Sequence, residues 1–434
     1  MSVEYNALDT FRLSAVNLYR EGTAEDEKFD IRDMVFEMAI YEDLFSGTMF
    51  AHLVLNDMIN LPESFPMVGR ELIDIRFNTP VYEDSQLLTF CVAKIGSQLT
   101  KDQNNRLGYV LHLITQDRYR DLKQDISKTY KGTYDVIVES ILKDLGSTTN
   151  LTKDTANYNQ TFICPYWSPL FACQWIAKRA YGLKTDPFLF WETMDGYQFR
   201  SLHNVYNQEP YTKLIIEPGK QLSTSDRTWR RVIEFEKMES SNRMRQLMEG
   251  GYGVDVVLLD STTRKIEFQR FDYAALSAEE DFATIDEYPL YPEDEKIYKT
   301  SFMYTRADNS HEGQVYRDMT MALMDQYRYR LVVPGDSGYR VGQIIELDIP
   351  DQSSSNVQHE TLTSGRWLIT SLRHLIKGDV YTCALEICKD SYAVDVRSML
   401  GLPVESSKAK TVNTPENKPA KNEPAPKLLP EDKK

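Results

Sequence analysis

The sequence is short of positive charge: 50 Lys and Arg stand against 65 Asp and Glu, a formal net charge of −15. Tight binding to a phosphate backbone needs clustered bases, so that deficit argues against a nucleic-acid-binding protein. It suits a soluble surface, or a wall that nucleic acid slides past without sticking. Cysteine is scarce as well. Cys91, Cys164, Cys173, Cys383 and Cys388 form no CxxC pair, and an odd number reads as reduced, buried thiols in a protein made in the cytosol. Long apolar runs are missing: no stretch approaches the roughly 18–20 residues needed to cross a bilayer. Met1–Arg20 has early acids and no apolar core, so no secretory signal is expected. Histidine is rare, and His52, His112, His203, His311, His359 and His374 show neither HxxxH nor HExxH spacing, so no metal site is assigned.

What is present is an ordinary globular body, with 41% hydrophobic and 26% charged residues over 434 positions. Length alone allows several domains with real cores. The clearest pattern lies near the C-terminus, where Ile345, Leu347 and Ile349 alternate with Glu346 and Asp348, the period of a strand with one buried face. Two further strands, from Arg366 to Ile376 and from Val380 to Ile387, flank the turn Lys377-Gly378-Asp379 and predict a hairpin. The same signposts occur once earlier. Val68-Gly69, Ile114, Asp117 and Tyr119 recur as Val341-Gly342, Ile387, Asp390 and Tyr392, each displaced by 273 residues. The spacing predicts two copies of one β-module.

Along the chain, residues 1–128 read as the first module, a small barrel. A hairpin is expected from the alternations Met34, Phe36, Met38, Ile40 and Met49, Ala51, Leu53, Leu55; strands over Glu71–Phe77, Leu87–Ile95 and Leu107–Thr115 follow. Residues 129–215 read as an α+β unit. Its first helix starts at Thr133 or Asp135 and stops at Gly146, its second starts at Ser168-Pro169, and a hairpin turns at Asp195-Gly196. Residues 216–259 and 312–400 predict the second barrel module, interrupted by an acidic, exposed, partly irregular insertion over 260–311. Beyond it, 401–434 is rich in Pro, Lys and Glu and reads as a disordered tail. The fold class expected is mainly β with an α+β middle domain.

No stretch earns a catalytic or cofactor assignment. Gly335-Asp336-Ser337-Gly338 matches a serine-protease nucleophile signature but lacks a His and Asp in the required order, so a turn between strands explains it. Gly250-Gly251-Tyr252-Gly253 follows a helix and precedes a strand, the reverse of a phosphate cradle. Tyr327-Arg328-Tyr329-Arg330 interleaves bases and aromatics as single-strand binders do, yet it runs into the apolar strand Leu331-Val332-Val333. The acids from Glu279 to Glu295 lack the alternating ligands and central Gly of a calcium loop.

Four segments resemble the baseplate hub, or tail hub, proteins of contractile-tailed bacteriophages, which are related to the N-terminal half of type VI secretion spikes. Phe36–Phe77, with Glu42, Gly47, Asn60-Leu61, Pro66 and Gly69-Arg70-Glu71, looks like the opening module; Ser168-Pro169 through Phe188–Leu202 looks like the middle domain. Asn207–Tyr211 is similar to the link that follows, and Ser364–His374 with Tyr381–Asp390 to the closing hairpin. The acidic insertion matches poorly and the Pro-rich tail has no assigned role. The resemblance implies a non-enzymatic homotrimer whose six modules continue a hexameric tail tube and receive a trimeric spike, alongside other baseplate proteins. DNA would pass through the lumen without specific binding, in the tail of a virion, and no cofactor or metal is implied. Asp74, Arg76, Glu346 and Asp348, opposite the buried faces of their strands, are the candidates for solvent- or lumen-facing positions. The alternatives are a tail-tip cell-wall hydrolase, or a glycan-binding module using exposed aromatics such as Tyr166 and Trp167.

Overall fold

The computed structural model describes residues 11–394, apart from 58, 60, 80–86, 97–106, 158, 183–185, 217–229, 239–241, 261–262, 278–281, 290–297, 305–309 and 350–361. The chain divides into a body, Met1–Val396, and the segment Arg397–Lys434. The tail expected over 401–434, and Glu279, Glu280, Asp281, Glu293, Asp294 and Glu295 of the acidic run, lie outside the described residues.

Alternation of apolar and polar residues builds the first strands: β1 (Arg12–Arg20), β2 (Phe29–Asp30), β3 (Val35–Asp43), β4 (Phe50–Asp57), β5 (Glu71–Asn78), β6 (Leu87–Ile95) and β7 (Leu107–Thr115). Val16, Leu18, Ile40, Leu53, Leu55, Ile73, Ile75 and Leu111 are completely buried on one face. Two expectations are corrected here. Phe36 is half exposed, not a core residue of the β3–β4 hairpin, because the β3–β4 register shifts between Val35 and Glu37 and breaks the alternation. β1 was not foreseen, since only Val16 and Leu18 of its residues are deeply buried and its flanks are charged.

A single turn, α1 (Leu61–Ser64), precedes β5, and the middle of the chain gives α2 (Gln116–Asp121), β8 (Thr129–Gly132), α3 (Tyr134–Leu145), β9 (Leu151–Lys153), β10 (Gln160–Ile163), α4 (Pro169–Ala177), β11 (Phe188–Thr193), β12 (Gly196–Ser201) and α5 (Leu202–Tyr206). Thr133 stands at the N-terminus of α3 and Gly146, at φ +76°, closes it in the left-handed conformation. Pro169 opens α4 where its missing N–H costs nothing. The β11–β12 turn is Met194-Asp195, one residue earlier than expected, with Gly196 already paired to Thr193. Ile137, Ile141, Ile176, Phe188 and Phe199 form a separate apolar cluster between these helices and strands.

β13 (Lys213–Ile215) and β14 (Glu234–Lys237) return to the large sheet. Next come α6 (Arg243–Glu249), β15 (Gly253–Leu259), β16 (Ile266–Asp272), α7 (Tyr273–Ser277), β17 (Tyr288–Pro289), β18 (Lys299–Tyr304) and α8 (Ser310–Leu323). β15 pairs with β16 and β18 in its own sheet, whose inner face packs Val254, Val256 and Leu258 against Val315, Met319 and Leu323 of α8. Gly253–Leu259, expected in the second module, thus pairs with strands of the 260–311 region and not with the large sheet. The 260–311 region is also more regular than expected: β16 and β18 flank β15 in a three-stranded sheet backed by α8.

The chain ends in β19 (Tyr327–Pro334), β20 (Ile344–Asp348), β21 (Gly365–Lys377), β22 (Val380–Lys389) and β23 (Ser391–Tyr392). Thirteen strands make the large sheet. Its first half runs β3-β4-β7-β6-β5-β1 and its second β14-β19-β22-β21-β20-β13. Every adjacent pair is antiparallel except β13–β20. The two halves thus have one strand order. Shifted by 273, the bounds of β7, 107 and 115, become 380 and 388, inside β22. Gly69 and Gly342 hold φ of +92° and +88° ahead of β5 and β20. β6 and β21 each carry a bulge, between Val92 and Lys94 and between Ile369 and Ser371, one rung apart. The halves join edge to edge: past its bulge, β21 pairs Ser371–Lys377 with Asp43–Glu37 of β3.

Beside that seam the middle unit is locked in. Glu42 of β3 is 2% exposed; its carboxylate accepts the Met194 N–H at 2.8 Å and the Val341 N–H at 2.9 Å. Next to it Arg340 pairs with Asp195 at 2.8 Å. Trp191 donates its indole N–H to the Val341 carbonyl at 3.2 Å, and its ring lies under Gly342, where a Cβ would meet Cζ2 at 2.6 Å. Glu192 accepts the Met49 N–H at 2.9 Å and the Thr115 hydroxyl at 3.2 Å. Burial pushes the Glu42 carboxyl up to about 7, against Arg340 and the two N–H donors that hold it down. Glu192 is pushed to about 8 for the same first reason.

Two outcomes follow from this junction. Gly342→Ala meets both the left-handed backbone and the Trp191 ring and should cost roughly 2–4 kcal/mol in denaturant unfolding. Gly69→Ala, with open space at its Cβ, should cost about 1–2 kcal/mol. The Glu42 carboxyl is held above its ordinary value in the folded chain, so its proton favours folding fully below about pH 4.5, and that contribution is lost as pH rises through about 7. The fall in stability between pH 5 and pH 8 should therefore be smaller in Glu42→Gln than in the unaltered chain, by about 2 kcal/mol. Equal slopes would show that Glu42 does not titrate there.

Candidate assembly surfaces

The residues singled out for chemistry are satisfied by structural roles. Ser337 lies in a turn with its hydroxyl 3.0 Å from that of Thr79. The one arrangement that looks like a nucleophile and base is Cys383, whose Sγ is 3.4 Å from Nδ1 of His374, with the Tyr381 hydroxyl 2.7 Å from the same nitrogen. Burial drives that thiol up to about 12 and that imidazole down to about 3, so both are neutral and no thiolate forms. All five cysteines are buried and free. Arg328 and Arg330 both reach Glu386, at 3.2 and 2.9 Å, which removes the basic-aromatic stripe as a strand-binding surface. Gly250 caps α6 at φ +81°. Among the described residues no three His, Cys, Asp or Glu converge as a metal site; His359 lies outside them.

Of the wall-facing candidates, Asp74 must be corrected. It is 2% exposed, accepting the Tyr19 hydroxyl at 2.9 Å and the Thr89 hydroxyl at 2.7 Å and pairing with Lys28 at 2.8 Å. β1 pairs beside β5 in the same sheet, and the side chains of Tyr19 on β1, Thr89 on β6 and Lys28 ahead of β2 close over Asp74. Arg76 is exposed; Glu346 and Asp348 are half-buried and share Lys213, at 2.7 and 3.9 Å. Trp167 packs against Phe162, Phe171 and Trp175 as part of the middle core's rim, while Tyr166 is 70% exposed.

A cleft of about 760 Å³ collects Lys178, Arg179, Arg245, Lys299, Arg317 and Arg328 where α4, α6 and α8 meet. Its charges are largely spent internally. Arg245 pairs with Glu249 and Asp325 at 2.9 and 3.1 Å, and Arg317 donates to the carbonyls of Ala177 and Phe188.

What the fold leaves open is surface of two other kinds. The outer face of the inserted sheet is apolar in two successive rows: Val257, Phe268 and Phe302, then Leu259, Ile266 and Tyr304. Phe268 and Phe302 are each 80% exposed, although the opposite face of the same sheet is core. Contiguous apolar surface of this sort marks contact with other proteins. The second kind is strand edge. Among the described residues β14 has one strand neighbour, β19, and β5 accompanies β6 only as far as Cys91. The aromatic face has no signal in sequence beyond its alternation in an acidic region, and a free edge has none, because pairing is decided by what other strands do.

No family model matches the chain. It is 22% identical over 431 residues to a probable baseplate hub protein of Vibrio phage KVP40, covering 89% of this chain and 96% of that protein. Among solved structures, a tail protein from Neisseria meningitidis MC58 superposes with a TM-score of 0.56 at 10% identity, covering 88% of this chain and 97% of that one. The 43 kDa tail protein of prophage MuSo2 from Shewanella oneidensis gives 0.54 at 10% identity, covering 87% and 98%. The chain is thus similar in sequence to a phage baseplate hub protein, and its fold is that of solved phage tail proteins.

Proposed function

We propose that three copies of this chain form a hub that adapts a sixfold tail tube to a threefold spike and lines part of the channel through which DNA leaves. The observation that carries the reading is the duplicated strand order: one chain supplies two near-equivalent wall segments already joined along β21–β3. Three such chains present six equivalent sectors on one side. The features that occur once per chain, the middle unit and the inserted sheet, repeat three times and give the other side its threefold character. The division we propose is 1–128 and the strands from β19 onward, with β13 and β14, as the two wall modules; 129–215, apart from β13, as the middle domain; and an insertion running from α6 to α8.

The net charge of −15 fits a channel that repels phosphate rather than trapping it. The exposed apolar face of the inserted sheet supports docking of other baseplate proteins, with the tube and the spike as the partners at the two ends. Multi-angle light scattering of the purified chain should give three times 50.3 kDa. A species that stays monomeric at high concentration, and still does so with tube and spike proteins added, would contradict the hub.

A further inference from the structure

The internal seam between the two halves of the large sheet has an unfilled counterpart. β21 is flanked by β20 along Gly365–Leu368, and past its bulge the vacated side takes β3. β6 is built alike: β5 accompanies it through Leu87–Cys91, and past its bulge Val92–Gly96 has β7 on one side, with Gly96 donating to the Val110 carbonyl at 2.6 Å. Among the described residues no strand fills the other side; Ala93 and Lys94 are exposed there. In the same way β14 holds the place in the second half that β3 holds in the first, and among the described residues no strand pairs with its outer edge. Within one chain the pair β21–β3 is made and the equivalent pair β6–β14 is not.

The ladders fix which residues correspond. Lys94 and Leu372 face His112 and Leu385, which are 273 apart, and Ile95 and Arg373 face Leu111 and Ala384, also 273 apart. On the other strand Tyr41 pairs Phe50, which pairs Ile114, while Lys237 pairs Tyr329, which pairs Ile387. Tyr41 and Lys237 are therefore equivalent. The internal seam sets Arg373 opposite Tyr41, His374 opposite Ile40 and Leu372 opposite Glu42.

Resting on the trimeric reading above, we propose that β6 of one chain pairs antiparallel with β14 of a second copy, with Ile95 opposite the second copy's Lys237, Gly96 opposite its Glu236 and Lys94 opposite its Met238. The contact is head to tail, since β6 and β14 are different surfaces, and it closes on itself after three copies if it repeats the rotation of the internal seam. It gives partners to the backbone groups of two edges that would otherwise template aggregation. It also sets Lys94 diagonally across from Glu236, a favourable cross-strand pair. The internal seam carries a comparable pair, Lys377–Glu37 at 3.2 Å.

The experiment is disulfide trapping in the full chain, whose own cysteines are all buried. Leu44 donates to the Thr370 carbonyl, so positions 373 and 41 form a non-hydrogen-bonded pair, with Cα atoms about 4.5 Å apart. Their counterparts, Ile95→Cys with Lys237→Cys, should be close enough to oxidise. Lys94→Cys with Met238→Cys, which touches no core residue, is the second variant should the first destabilise the fold. Mild oxidation should convert most chains of either variant to a ladder ending at three linked copies on non-reducing gels. Lys94→Cys with Arg264→Cys, on the insertion, should give none. Trimers by light scattering without this cross-link would overturn the edge pairing and leave the hub standing; monomers throughout would overturn both. Linked species running past three would mean an open filament, contrary to the closed ring.

Discussion

The structure depends on one seam, the antiparallel pairing of β21 with β3, because it is what turns two copies of a small β-unit into a single wall. The strands come from opposite ends of the chain, and Ser371 reaches Asp43 across 328 residues of sequence at 2.7 Å. A long-range contact of that kind is slow to find and worth little until its neighbours are in place. Here the neighbours are Glu42 and Trp191. Glu42 sits on β3 at the seam and fixes by hydrogen bond both the turn of the middle unit and the loop that starts β20, so one buried carboxylate registers three parts of the chain against each other. Burying it is expensive, and the expense is offset only when both N–H donors and Arg340 are present, which makes the arrangement specific rather than merely stable.

The same logic explains why the two halves, alike in strand order, differ in what hangs from them. Between β3 and β4 the chain makes a short turn around Leu44–Met49, whereas between β14 and β19 the described residues add the helices α6, α7 and α8 and a second sheet with its own core. The insertion is anchored separately. Buried Lys389 pairs with Asp286, and Asp390 accepts the Ile285 N–H at 3.1 Å. Equivalent halves with non-equivalent attachments fit the proposed adaptor between a sixfold and a threefold object. Duplication supplies the first property and insertion the second.

Much of this was legible in the primary structure, for reasons that lie in local chemistry. The period-2 alternation of Ile345, Leu347 and Ile349, the left-handed Gly146 that ends α3, and Pro169 at the start of α4 are each fixed by the residue's own conformational limits. The constant displacement of 273 between Val68-Gly69 and Val341-Gly342 announced the duplication, and the strand order agrees with it. The resemblance to tail hubs rested on the order of weak motifs, and the 22% identical relative aligns over 89% of this chain.

What the chain alone determined, then, was the kind of each element and the existence of two like units, because backbone sterics and apolar periodicity act over a few residues. What only the tertiary structure decided was which edge meets which: that β1 pairs beside β5 and brings Tyr19 onto Asp74, that β15 pairs in the smaller sheet and not the large one, and that among the described residues β6 and β14 end with a side unfilled. Edge pairing carries no side-chain code of its own, since every strand presents the same N–H and C=O groups, and partners are chosen by the packing of faces distant in sequence.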